Sequence, residues 1–196
     1  MSDAYHHGDL RNALLRAAVE LVAEHGVAGL SLREAARRVG VSHAAPYRHF
    51  PDRAALLSAI AEEGFGRLVD AGRRAMAEAC DPGDRLRAYG LEYIRFARHH
   101  PVHFRVMFSA QLPAFETCPE GAPSARIAVD LLFEAAGAAA GAEVGEAERA
   151  LAVVAARSLV HGFATLVADG RLPRDLVADE ATADDLARRV LLRLAP

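Results

Sequence analysis

The chain has 196 residues, 52% of them hydrophobic and 25% charged, which is enough to build the core of one or two small domains. A net charge of −3 at pH 7 excludes a protein whose whole surface binds a polyanion, and two cysteines are too few for a disulfide framework. Because no secretory signal or long uncharged apolar run is evident, we expect a cytoplasmic protein that does not span a membrane.

The charge is distributed unevenly along the chain. Residues 1–55 hold 7 arginines and 6 acidic residues, whereas the remainder holds 16 arginines and 20 acidic residues. A cationic segment on an acidic body is typical of a protein that contacts a polyanion at one end only.

Apolar side chains recur at helical spacing from the N-terminus onward, which predicts an all-α fold. The first four helices are expected over residues 9–26, 31–40, 42–50 and 52–79. Pro46 lies so close to the start of the third helix that it would remove at most one hydrogen bond, so we expect that helix to form.

The second half of the chain continues the helical pattern after a break at "CDPGD". A loop rich in proline and polar residues is expected near residues 110–125. Further helices are predicted over residues 85–100, 102–109, 125–140, 146–170 and 182–195.

Capping residues mark a helix-turn-helix. Ser31 and Glu34 match the S-x-x-E capping box at the start of the second helix, and Gly40 supplies the positive φ that ends it. Ser42 and Asp52 are expected to cap the third and fourth helices. In a helix-turn-helix the third helix would be the recognition helix, which lies in the major groove of DNA.

The side chains of this predicted recognition helix suit DNA. His43 and Ala44 lie in its first turn, where base edges and thymine methyl groups are reached. Tyr47 and His49 can donate hydrogen bonds to phosphate oxygens. Arg53 begins the next helix, where a free N-terminus also attracts phosphate. An ordinary amphipathic helix pair with solvated arginines remains the alternative interpretation of each feature taken singly.

The order of the features is more specific than any one of them. Residues 9–68 resemble the N-terminal module of the TetR family of bacterial regulators. The matching positions are Gly26, Ser31, Arg33, Ala36, Gly40, Val41, Tyr47, His49, Phe50 and Arg53.

That resemblance implies roles for seven residues in a DNA-binding domain over residues 1–52. Ser31, Tyr47, His49 and Arg53 would contact phosphates. Arg33, His43 and Ala44 would face bases.

The remainder, residues 53–196, resembles the helical effector-binding and dimerisation domain of the same family. The segment "RSLVHGFATLVADG" is similar to the Trp-x-x-x-His-Gly helix of one subgroup, with Arg157 in place of the tryptophan. His161 could instead be a buried histidine bonded to a backbone carbonyl.

The middle helices carry most of the aromatic residues. By resemblance they would bind a small, mostly apolar effector, although the same stripe could simply form a core. The expected ligand-binding residues are Tyr89, Tyr93, Phe96, His103, Phe104, Met107, Phe108 and His161.

Two Ala-rich helices offer apolar faces for a homodimer, which would present two recognition helices to a palindromic operator. Packing within one chain is the competing use of these faces. The expected interface residues are Ile127, Leu131, Leu132, Ala135, Leu151, Val154, Leu159 and Phe163.

Other chemistry has weaker support in the sequence. His99, His100 and His103 could suggest a metal site, but Pro101 interrupts them and no carboxylate or cysteine is close, so we expect no metal and no cofactor. No nucleophile elbow or phosphate loop supports an enzyme. We expect a transcription regulator, a repressor released from its operator by a ligand. The alternative is a small helical enzyme or a ligand-binding protein that does not bind DNA.

Overall fold

The computed structural model describes residues 7–112 and 123–194, and the regular structure of these residues is entirely helical. The prediction of an all-α fold is therefore confirmed. The helices are α1 (His7–His25), α2 (Leu32–Val39), α3 (Arg53–Ala77), α4 (Pro82–His99), α5 (Pro101–Met107), α6 (Pro123–Ala139), α7 (Glu146–Ala168) and α8 (Glu180–Leu191). Short 3-10 helices span Val27–Gly29, Ala45–Arg48 and Arg174–Val177.

The chain forms two compact units. The first comprises Met1–Gly64 and Val102–Ala122, and the second comprises Phe65–Pro101 and Pro123–Pro196. Helix α3 is continuous across residues 64 and 65, so its N-terminal half belongs to the first unit and its C-terminal half to the second. The functional division predicted at residues 52 and 53 stays a prediction, because a packing unit and a functional domain need not share a boundary.

The first unit packs α1, α2 and the start of α3 around buried apolar side chains at helical spacing. Helix α5 packs against α3 at Gly64, where a Cβ atom would lie 2.6 Å from Met107 Sδ and 3.2 Å from His103 Cβ. The core of the unit includes Leu14, Ala18, Leu21, Leu32, Ala35, Ala36, Leu56, Leu57 and Ile60.

The second unit packs α4, α6 and α7 around a core that the hydroxyl group of Tyr89 helps to fix. This buried hydroxyl donates to the carbonyl oxygen of Ala128 at 2.9 Å, so its polar atom is satisfied inside the core. The core cluster consists of Met76, Leu86, Tyr89, Leu132, Ala135, Ala136, Val153 and Ala156.

Helix α8 is attached to α4 by charge as well as by apolar packing. Arg95 donates two hydrogen bonds to Asp184, one of them at 2.9 Å, and Arg98 lies 3.3 Å from the same carboxylate. These guanidinium groups hold the pKa of Asp184 below its ordinary value. Gly90 leaves room for Leu191, since a Cβ atom there would lie 2.6 Å from Leu191 Cδ2.

Helix α7 is the most apolar long helix by composition among the described residues. An 18-residue window within its 23 residues has a mean hydropathy of 1.7, so by length and composition alone it could cross a membrane. Only 22% of that window is buried within the chain. Most of the apolar surface of this helix is therefore left uncovered by the rest of the chain.

Close packing of α3 on α4 gives a test of the second unit. A Cβ atom on Gly72 would lie 2.6 Å from Tyr89 Cδ2 and 2.7 Å from its Cε2. Because this ring is buried and its hydroxyl is bonded, Gly72→Ala is expected to lower the free energy of unfolding by about 1–3 kcal/mol. Thermal unfolding followed by circular dichroism measures the change.

The matched control lies on the same helix. A Cβ atom on Gly66 would meet only Ser124 Oγ at 3.7 Å, an ordinary contact. Gly66→Ala should therefore raise the free energy of unfolding by up to about 1 kcal/mol, because alanine favours helix more than glycine does. Equal melting temperatures for the two variants would contradict the packing described.

Candidate functional site

Helix α2 begins and ends near the predicted residues, but its N-terminus is not capped as predicted. Ser31 has the extended backbone of an N-cap, yet its side chain makes no capping hydrogen bond. Glu34 instead accepts a hydrogen bond from Arg37 Nε at 2.9 Å and a second, shorter one from Arg37 Nη2. The capping-box prediction is wrong because the guanidinium one turn later competes for the same carboxylate.

The turn that follows α2 is confirmed. Gly40 has φ 78° and ψ 28°, the left-handed conformation that favours glycine. The N–H of Val41 donates to the carbonyl oxygen of Ala36 at 3.0 Å, which satisfies one of the last carbonyls of α2. The chain therefore leaves α2 in a fixed direction.

The predicted recognition helix over residues 42–50 is wrong in extent. Only a 3-10 helix, Ala45–Arg48, forms there, and no side chain caps it. Pro46 lacks an N–H and disfavours the helical region for the residue before it, which shortens the helix. The N–H groups of His49 and Phe50 both donate to the Pro46 carbonyl oxygen at 2.9 Å. We call residues 42–49 the reading segment.

The reading segment presents its polar side chains to solvent. Tyr47 is 49% exposed, whereas the ring of Phe50 just after it is only 2% exposed. His43 and Ala44 are also exposed, and His49 is half-buried. The buried phenylalanine and proline therefore anchor the turn while its tyrosine and first histidine stay accessible.

Carboxylates offset the charge of two of the three arginines of α2. Arg37 pairs with Glu34, and Arg38 pairs with Glu24 at 2.6 Å. Hydrogen bonds from these guanidinium groups lower the pKa of Glu34 and of Glu24 below the ordinary carboxyl value. Both acids are thus ionised, and each offsets the charge of its partner.

Two other arginines, Arg33 and Arg48, are exposed. Among the described residues, neither Arg33 on α2 nor Arg48 in the reading segment has a carboxylate within ion-pairing distance. Arg33 was predicted as a base contact. Arg48 was not among the predicted DNA contacts, because the sequence suggested only that it adds positive charge.

Arg53 lies beside the reading segment and bonds to the backbone. Its Nε donates to the carbonyl oxygen of Leu30 at 2.9 Å, and its Nη2 donates to that of Val27 at 2.5 Å. The expected cap of α3 is confirmed, since Asp52 Oδ1 accepts from the N–H of Ala55 at 2.8 Å. A phosphate contact by Arg53 stays a prediction.

The predicted ligand-binding residues divide between the two units. His103, Phe104, Met107 and Phe108 lie on or next to α5 in the first unit, and the first three are buried. The Phe104 and Phe108 rings are 5.0 Å apart. In the second unit Tyr89 belongs to the core and Phe96 is buried, whereas Tyr93 and His161 are partly buried.

Tyr93 and His161 form a polar pair within the second unit. The Tyr93 hydroxyl and His161 Nδ1 are 2.9 Å apart, so the histidine has a side-chain partner where a backbone carbonyl was the alternative. Burial raises the pKa of Tyr93 above its ordinary value. Burial, and then the positive charge of Arg157, lower the pKa of His161. At neutral pH the pair is an uncharged phenol and an uncharged imidazole.

The predicted dimer residues differ in exposure. Leu151 and Val154 are 59% and 61% exposed, and Ile127, Leu131, Leu159 and Phe163 are half-buried. Leu132 and Ala135 are buried in the core of their own unit, the competing use that the sequence left open. Phe133 and Leu166, which were not predicted, are 51% and 41% exposed on α6 and α7.

The histidines considered as a metal site have other neighbours, and the two cysteines differ in what the structure describes. His99 lies 3.5 Å from Glu180, and His100 packs on Phe96 with ring centroids 5.1 Å apart. No group of three metal-ligating side chains occurs within residues 7–112 and 123–194. Cys80 is exposed, and Cys118 lies outside the described residues.

Two family models match this chain. A model of the family described as "Bacterial regulatory proteins, tetR family" matches residues 14–60, which include the reading segment and Arg33. A model described as "Tetracyclin repressor-like, C-terminal domain" matches residues 86–194.

Individual relatives support the same assignment. The chain is 49% identical over 51 residues to the class A tetracycline repressor of Escherichia coli. It is 29% identical over 125 residues, 64% of its length, to the transcriptional activator FasR of Mycolicibacterium smegmatis. The alignments cover 24% of that repressor and 56% of that activator, so the chain matches about half or less of each relative's length.

A solved structure extends the likeness to nearly the whole chain. A protein of unknown function from Rhodococcus sp. RHA1 is 38% identical, with a TM-score of 0.67. The match covers 96% of this chain and 98% of that chain.

The Tyr93–His161 pair predicts a measurable titration. The pKa of His161 should lie below about 6.5, the ordinary histidine value, in a nuclear magnetic resonance titration of its ring protons. Arg157→Gln should raise it, and Arg157→Lys should not, because only the first removes the positive charge. An ordinary His161 pKa in the wild type would contradict the burial described.

The same shift links stability to pH. Because the unfolded state binds the proton more readily, the free energy of unfolding should fall as the pH drops from about 6.5 through the lower pKa of the folded state. His161→Gln should flatten this part of the stability profile in denaturant titrations.

Proposed function

Because the chain belongs to the TetR family of bacterial regulatory proteins, whose members are transcription regulators rather than enzymes, we propose that it acts in the cytoplasm as a homodimeric repressor. In this proposal the dimer binds a palindromic DNA operator through its helix-turn-helix. A small, mostly apolar effector then releases the dimer from that operator. The DNA-binding part is supported by the exposed Arg33 and Arg48, which have no carboxylate partner within residues 7–112 and 123–194.

The proposed DNA contacts follow from exposure and charge. Arg33 and Arg48 are positively charged and accessible, and arginine is the usual donor to guanine edges and to phosphates. The exposed Tyr47 hydroxyl can donate to a phosphate oxygen. His43 at the start of the segment suits a base edge, and the short side chain of Ala44 suits a thymine methyl group. Ser31 and His49 are proposed as additional phosphate contacts.

The proposed dimer uses the uncovered face of α7. Leu151, Val154 and Leu166 are exposed at spacings of three and twelve residues, which place them along one side of a helix. Phe133 of α6 adds a large exposed apolar side chain in the same unit. Covering such a face with its two-fold copy would remove apolar surface from water and give a closed assembly.

The effector is proposed to bind the aromatic residues of the middle helices. Tyr93 and His161 give one polar pair in mostly apolar surroundings, which is the usual composition of a small-molecule site. The subgroup indicated by the His-Gly helix stays a prediction. An effector shifts the dimer only by the difference between its affinities for the DNA-bound and released forms.

Repression is proposed in preference to activation on a physical ground. A dimer bound within a promoter blocks polymerase without any further contact, whereas activation needs a surface that recruits polymerase. A relative named as a repressor and another named as an activator both resemble this chain. Reporter transcription from a promoter that carries the operator decides between the two, because deletion of a repressor raises expression and deletion of an activator lowers it.

Arg33 is expected to be required for operator binding. Arg33→Ala should weaken the affinity by about 1–3 kcal/mol, the contribution of one good base contact. The measurement is fluorescence anisotropy with a palindromic duplex that the wild-type protein enriches from random-sequence DNA. Wild-type affinity should also fall steeply as salt rises.

A charge-neutral double variant on the same helix is the control. Glu34→Gln combined with Arg37→Gln removes an exposed ion pair without altering the net charge. It should leave the operator affinity nearly unchanged. If Arg33→Ala binds as well as this control, the proposed reading surface is wrong.

The α7 face is expected to hold the dimer together. Leu151→Glu combined with Val154→Glu should give a monomer in sedimentation velocity, because two charges would be buried in the interface. The monomer should also bind the palindromic duplex far more weakly.

Leu176→Glu is the matched control, since Leu176 is 42% exposed and lies outside α6 and α7. This variant should stay dimeric. A dimeric Leu151/Val154 double variant would show that the interface lies elsewhere.

A further inference from the structure

One side chain fixes the backbone between α1 and α2. We call residues 27–30 the connecting turn. It ends at Leu30, directly before Ser31, the N-cap residue that precedes α2. The carbonyl oxygen of Val27 accepts a hydrogen bond from the N–H of Leu30 at 3.3 Å. The other described hydrogen bonds to the Val27 and Leu30 carbonyl oxygens come from Arg53.

The arginine holds both ends of this turn at once. Arg53 Nε and Nη2 donate to the carbonyl oxygens of Leu30 and Val27, at 2.9 Å and 2.5 Å. A planar guanidinium fixes the distance and direction between two acceptors. Because Arg53 is the first residue of α3, these bonds join the connecting turn to the start of a long helix.

A third acceptor comes from the segment after α5. The second N–H of Arg53 Nη2 donates to Gln111 Oε1. The backbone around Gln111 is itself bonded, since its N–H lies 3.2 Å from Ser109 Oγ and the N–H of Leu112 donates to the Ser109 carbonyl oxygen at 3.1 Å. The backbone that carries the Gln111 side chain is therefore held in place, and its amide oxygen accepts from the guanidinium of Arg53.

Helix α5 connects Gln111 to the proposed effector residues. Gln111 lies four residues beyond Met107, the last residue of α5, and Met107 packs against Gly64 of α3. A shift at the end of α5 would move the amide oxygen relative to Arg53. The guanidinium would then transmit that shift to the connecting turn and to the N-terminus of α2.

We propose that Arg53 and Gln111 are positioning residues for DNA recognition. Arg53 fixes the backbone position of the connecting turn, and therefore the positions of Ser31 and Arg33. Gln111 fixes the orientation of the Arg53 guanidinium. This inference rests on the proposed function. It assigns Arg53 a role through the backbone of its own unit, in contrast to the direct phosphate contact predicted from the sequence.

Salt dependence separates the two roles. A side chain that contacts a phosphate releases counterions, so its removal lowers the slope of log affinity against log salt by about 0.9 in magnitude. A positioning residue lowers the affinity and leaves that slope unchanged. A purely structural residue would lower the melting temperature without a specific loss of operator affinity.

The experiment uses the full chain and the palindromic duplex enriched by the wild type, with anisotropy titrations at several salt concentrations. Gln111→Ala should weaken binding about 2–10-fold, the effect of one hydrogen bond, with an unchanged slope and melting temperature. Gln111→Glu keeps an acceptor for Arg53 and should restore most of the affinity. Arg53→Ala should weaken binding more than Gln111→Ala, again with an unchanged slope.

The double variant tests whether the two residues act in series. Gln111→Ala should have no further effect in the Arg53→Ala background. The inference would be overturned if Gln111→Ala bound the duplex with wild-type affinity. A smaller salt slope for Arg53→Ala, or affinity losses that add up in the double variant, would overturn it as well. If Arg53→Ala does not fold, the affinities and salt slopes of the two Gln111 variants test the inference by themselves. A wild type that enriches no duplex would overturn the proposed function, and this inference with it.

Discussion

The left-handed backbone at Gly40 is the constraint from which the proposed DNA-reading surface follows. Its φ of 78° is unfavourable for any residue with a side chain, although a Cβ atom there would meet nothing within 4 Å. The constraint is therefore one of backbone torsion and not of packing. It ends α2 and directs the chain into the reading segment. Phe50 then buries its ring and fixes the far end of that segment, which leaves Tyr47 accessible between two anchored points.

Ion pairing then determines which arginines of that surface keep a net positive charge available to a ligand. The chain as a whole is acidic, with a net charge of −3, yet α2 and the reading segment carry four arginines within a short span. Arg37 and Arg38 are each paired with a carboxylate, so each pair has no net charge and adds little to the field outside it. Arg33 and Arg48 have no such partner among the described residues. In the proposed DNA-binding surface, the pairing of two arginines matters as much as the presence of the other two.

The parts of the fold that depend on local sequence were predictable. The glycine turn, the Asp52 cap and the order of the helices follow from residues close together in the chain. The capping box and the recognition helix were predicted wrongly because neighbouring residues compete: Arg37 takes the Glu34 carboxylate, and Pro46 restricts the helix to a short turn.

Contacts distant in sequence could not be predicted from local patterns. The hydrogen bonds from Arg53 to the connecting turn and to Gln111 join residues that are 23 to 58 positions apart, and no local sequence pattern predicts them. The solvent exposure of individual side chains could not be predicted either. Helical spacing placed Leu132 and Leu151 on apolar faces, yet Leu132 is buried in the core and Leu151 is exposed to solvent. A pattern identifies an apolar face but not the partner that covers it.

The most direct test of the account is where DNA contacts this chain. An isotope-labelled sample titrated with its enriched palindromic duplex should show backbone amide shift changes concentrated at the start of α2 and across residues 42–49. Changes centred on α4 and α8, with the reading segment unaffected, would contradict the account.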